Sequence, residues 1–184
     1  MRKFGMLAFF TILFLGVSLG LSSNAQAASE ADIEKALEII DAANLEMDQI
    51  IETGVQDADA LWAVYLEELD VMKNELETLD QEIARVETEL ANSTEASQQE
   101  GLNAALSALL LEKGLLEERM EQRTAQFDQE VDAIITYVFD ITLQMTQDTI
   151  DEVAEYGVVA ECFWKYVRFA DRWAWIDPVR VVEV

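Results

Sequence analysis

Two mirror-related apolar stripes constrain this chain more than any other feature. From Trp62 the positions Tyr65, Leu69, Met72, Leu76, Leu79, Ile83, Val86 and Leu90 recur at alternating steps of three and four. After a short polar gap, Leu102, Leu106, Leu109, Lys113, Leu116, Met120, Arg123 and Phe127 repeat that spacing. Each series is a heptad seam, which lays a stripe along one helix and calls for a partner helix. Folding the chain back at Ala96 sets Leu90 beside Leu102, Val86 beside Leu106, Leu76 beside Leu116 and Met72 beside Met120. The stripes predict a long antiparallel coiled-coil helical hairpin over about 57–130, turning at Asn92, Ser93 and Thr94.

Flanking signals extend this to an all-α fold. Ser29 with Asp32 is a capping signal, and Ile33, Leu37, Ile40, Met47 and Ile51 follow at helical spacing. Asn44 falls at the edge of that stripe, where a solvent-facing position is expected. Thr53-Gly54 predicts the end of this first helix, and Asp57 caps the next. Ser97 with Glu100 caps a third, which runs on through Gly101 and Gly114. The run Val131, Ile134, Ile135, Tyr137, Val138, Phe139, Ile141 and Leu143 is apolar nearly all round, as in a helix buried on most sides. Packed against the first helix, it would complete a three- to four-helix bundle ending at Gly157.

Beyond it, Glu161, Lys165, Arg168 and Arg172 recur every three or four residues among eight apolar and aromatic ones. That spacing predicts an aromatic amphipathic C-terminal helix over Val158–Ile176, then Pro178 and a short extended tail over Val179–Val184. The chain thus divides into 1–27, 28–157 and 158–184. The first segment has Arg2 and Lys3, an apolar run from Phe4 to Leu21, and Ala25-Gln26-Ala27 before Ala28. This is the pattern of a cleavable signal peptide and implies export to the bacterial periplasm or the exterior.

Charge narrows the partners. The net charge of −25 becomes −27 once Arg2 and Lys3 leave with the signal peptide, and the excess lies before Val158. Such a surface repels nucleic acid and anionic lipid and attracts cations or basic partners. The single cysteine, Cys162, cannot form an internal disulfide and reads as a small buried hydrophobe.

Chemistry is sparsely provisioned. Without histidine there is no Ser-His or Cys-His pair and no imidazole ligand, and phosphate-binding glycine loops are absent. Carboxylates cluster at Glu67, Glu68 and Asp70, at Glu117, Glu118 and Glu121, and at Asp148, Asp151, Glu152 and Glu155. Without a calcium loop or a Glu-x-x-His pair these are expected to be solvated faces, with no metal or cofactor. The expected function is a non-enzymatic binding module of the cell envelope, adaptor or chaperone-like, that engages a protein partner. Trp164, Tyr166, Trp173 and Trp175 are the candidate contacts, with Arg168 and Arg172 orienting the dock. Membrane contact is open only to the same aromatic segment. Two alternatives stand: a self-assembling structural subunit, and an acidic protein that binds divalent cations.

Overall fold

The computed structural model describes residues 28–176 and 178–183; the signal peptide expected over 1–27 lies outside the described residues. Two helices dominate: α1, Glu30–Asn92, with 63 residues, and α2, Ala96–Ala154, with 59. At 1.5 Å per residue each is roughly 90 Å long. They pack antiparallel, and four short strands follow: β1 (Val159–Cys162), β2 (Lys165–Phe169), β3 (Arg172–Ile176) and β4 (Val179–Glu183).

Helix α1 begins where the capping signal lies. The Ser29 hydroxyl accepts from the Asp32 amide at 3.2 Å, and the Asp32 carboxylate accepts from the Ser29 amide at 3.3 Å. Along the distal arm, Leu79, Ile83, Val86 and Leu116 are buried in the seam. Cations of α2 reach acids of α1: Lys113 donates to Asp80 at 2.6 Å, Arg119 to Glu75 at 3.2 Å, and Arg123 to Glu68. The arm meets the body at an aromatic cluster, where Tyr65 stacks on Phe127 with centroids 4.4 Å apart and Trp62 leans on both.

The three- to four-helix bundle is not formed. Neither Gly54 nor Asp57 interrupts α1, and α2 passes from the seam through 131–143 without a break. Continuity at Gly54 has a packing cause. A Cβ there would meet Val138 Cγ2 at 2.5 Å and Phe169 Cε1 at 3.3 Å, so the glycine serves close approach, not termination. Nor does Ser97 cap α2; its N-cap is Glu95, with no side-chain capping bond.

Glycine substitutions should therefore diverge in sign. Gly101 and Gly114 have nothing within 4 Å of an added Cβ. Alanine at either should raise stability by up to about 1 kcal/mol through helix propensity. Gly54→Ala should lower it by about 1–2 kcal/mol, because overpacking outweighs the same gain. Urea melts of the three variants check this.

The expected C-terminal helix is a β-ribbon instead. At the end of α2, Gly157 takes φ +78° and the Val158 amide bonds back to the Val153 carbonyl at 3.3 Å, closing the helix. Strand β2 pairs antiparallel with β3, from Lys165 opposite Ile176 to Phe169 opposite Arg172. Strand β1 pairs antiparallel with β4, with a register shift between Val159 and Ala160. The Phe163 amide donates to the Pro178 carbonyl at 2.6 Å, joining the two ladders into one nested ribbon. The short extended tail expected over Val179–Val184 is thus strand β4, paired with β1.

Period two decides the ribbon's packing. Val167, Phe169 and Ile176 are buried against the helices, with Ala174 packed beside them, while Tyr166, Arg168, Trp173 and Trp175 point outward. Near the base, Val158, Ala160 and Val179 join Ala36, Ile40, Met47 and Val153 in a second core cluster. Asn44 corrects its expected solvent position. Its side-chain amide donates to the Val179 carbonyl and accepts from the Val179 amide, each at 3.0 Å, as a neighbouring strand would.

Candidate functional site

The ribbon's outer face gathers most of the residues expected to contact a partner. Tyr166 lies opposite Trp175 in the ladder, and Trp173 lies diagonal to Tyr166 across it. Ring centroids are 4.6 Å apart for Tyr166–Trp175 and 4.9 Å for Tyr166–Trp173, the latter pair nearly parallel at 19°. All three stay about half exposed, at 52%, 55% and 56%. Trp164, just before β2, stacks on Phe139 of α2 at 6.4 Å and shares an apolar cleft with Trp175. Phe163, not anticipated from the sequence, is also half exposed and lies beneath the Arg180 guanidinium at 5.1 Å.

The two arginines part company. Arg168 shares the outer face and reaches Asp59 of α1 at 3.8 Å, remaining mostly exposed. Arg172 turns inward to α2. It donates to Asp132 Oδ1 at 2.5 Å, to the Asp128 carbonyl at 3.1 Å and to the Asp128 carboxylate, and sits over the Phe127 ring at 5.7 Å. Burial alone would lower its pKa, but the hydrogen bond to Asp132 and the charges of Asp132, Asp128 and Asp171 outweigh it and leave the guanidinium raised. Arg172 therefore clamps the ribbon to the hairpin.

Basic residues of the ribbon answer acids of the helices. Lys165 donates to Asp48 at 2.9 Å, which adds a third link to those of Arg168 and Arg172, while Arg180 pairs with Glu161 inside the ribbon. Exposed pairs of this kind contribute little each, about 0–1 kcal/mol. Their effect is orientation: with apolar anchors beneath and cations at the edges, the ribbon holds one face to the helices and the aromatic face to solvent.

The other classes of site find no such assembly. Cys162 is half-buried at the end of β1, opposite Val179 in the ladder. Among the described residues, no three carboxylate or cysteine side chains converge to hold a metal ion, so the acidic clusters remain spread along helix faces. No helix among the described residues is long and apolar enough to cross a membrane. Compared with family models, curated proteins and solved structures, the chain matches nothing.

Proposed function

We propose that the protein is exported and works without catalysis, as an adaptor or chaperone-like module that docks another protein on the outer face of its ribbon. One observation carries this reading: Tyr166, Trp173 and Trp175 stand half exposed on a ribbon whose opposite face already supplies its anchors. Core packing gives no reason to place three large rings there. Contiguous exposed aromatic patches are characteristic of interaction surfaces, and tryptophan, tyrosine and arginine dominate binding hot spots. The helical hairpin then acts as a stiff arm that holds this face at its base.

Export is supported by the leader pattern and by the position of the helix cap. Ser29, two residues past Ala27, starts α1 with its own capping box, so cleavage before Ala28 leaves that cap intact. Intact-mass analysis of the exported protein should give a chain beginning at Ala28. Retention of residues 1–27 would contradict that part of the proposal.

The self-assembling alternative would bring like-charged bodies together, since the chain carries −25 overall. Size exclusion with light scattering separates the two readings. At two concentrations, in low and moderate salt, the expected mass is that of one chain throughout. A mass that grows with concentration would replace partner docking by self-assembly.

A further inference from the structure

The ribbon covers only one side of the helical hairpin. Asn44, Asp48 and Asp59 of α1 and Asp128, Asp132 and Phe139 of α2 all reach it. About half a turn away on each helix, at 100° per residue, the back of the hairpin carries an open groove. Its volume is about 510 Å³, with Ile50, Ile134, Tyr137 and Val138 along its apolar part and Glu46 and Asp57 at its α1 border. Tyr137 is 62% exposed there, and among the described residues no lysine or arginine lines the groove.

We infer that this groove binds an amphipathic helix of a partner protein, with its apolar stripe flanked by lysines or arginines. Shape points to a helix, because the depression between two packed helices accepts the ridge of a third. The same need is written into α2: the stretch 131–143 is apolar nearly all round, and the ribbon satisfies one side of it. Charge selects the chemistry. Glu46 and Asp57 lie on one face of α1, about 16 Å apart along the axis, on a helical body over 28–157 whose net charge is −27. A second copy of the chain would set carboxylates against carboxylates, whereas basic flanks complement them. This site is separate from the aromatic face and does not rest on it.

The test uses a fluorescently labelled amphipathic peptide of leucine and lysine, about five helical turns long, and a control with glutamate in place of lysine. Anisotropy titration of the purified protein should give one peptide per chain, with no binding of the glutamate control. Tyr137→Glu, at an exposed position, should weaken binding at least about tenfold, and Glu46→Gln with Asp57→Asn severalfold. Thr53→Arg, which fills the groove from an exposed position, repeats the test should Tyr137→Glu fold poorly. Trp173→Ala with Trp175→Ala, and Leu111→Glu on the distal arm, should leave the affinity unchanged. Equal binding of the glutamate peptide, several peptides per chain, or full affinity in the groove variants would overturn the proposal. So would an equal loss in the tryptophan or Leu111 variants.

Discussion

Phe169→Ala should cost about 3–5 kcal/mol, the largest loss expected from any single ribbon substitution. The side chain is fully buried and fills the space that Gly54 leaves open, beside Val138. Removing it leaves a cavity between elements that cannot collapse, because both helices are held by their own seam. The transition should also lose its single step. The distal arm has its own buried contacts at Leu79, Ile83, Val86 and Leu116, far from Phe169. Near-ultraviolet dichroism, which reads the ribbon's tryptophans, should then melt before far-ultraviolet dichroism, which reads the helices. Coincident melts with an unchanged midpoint would mean the ribbon is not anchored through this residue.

The second large effect is on binding and should barely touch the fold. Trp173→Ala combined with Trp175→Ala removes two half-exposed rings and the contacts of both with Tyr166. Stability should fall by no more than about 1–2 kcal/mol, the range of lost ring–ring contacts at a surface. Affinity for the partner should fall roughly thirtyfold or more, the scale of losing a hot-spot side chain worth at least about 2 kcal/mol. Arg172→Ala should show the reverse balance. It removes a clamp that touches Asp128, Asp132 and Phe127 but leaves the outer rings in place. A purely structural role for the two tryptophans would move stability and leave binding alone.

The arm was legible in the sequence because its pattern is local and repeated. Heptad spacing needs only neighbours three and four residues apart, and the mirror register follows from a single fold-back point. Tyr65 stacked on Phe127 and Asp80 bonded to Lys113 both straddle the turn at Ser93 to Glu95. Gly54 was misread because a glycine that ends a helix and one that admits a neighbouring side chain look alike in sequence. What distinguishes them is Phe169, 115 positions away.

The ribbon was missed for a related reason. Its residues carry two periods at once. Glu161, Lys165, Arg168 and Arg172 recur at helical spacing, while Val167 and Phe169, with Ala174 and Ile176, alternate as strands do. Nothing local broke the tie, since the tight turn is Ala170-Asp171, with Ala170 at φ +52° where glycine or asparagine would normally mark a hairpin. The basic residues that suggested one polar face instead reach Asp48, Asp59, Asp128 and Asp132 on two different helices. Such pairings exist only once the chain has folded back on itself. Tyr166, Trp173 and Trp175 are half exposed in the strands because period two sends alternate side chains outward, whereas Arg172 falls on the inward parity and turns to α2.

Site-specific photo-crosslinking in the cells that naturally make the protein tests partner docking at the aromatic face most directly. A photoreactive phenylalanine is placed at Trp173 in one sample and, as a control, at Leu111, which is 66% exposed on the arm. The expected result is a discrete adduct between Trp173 and a different protein, lost when Trp175 is also replaced, with no such adduct from Leu111. An adduct only between two copies of the chain, or none from Trp173, would contradict it.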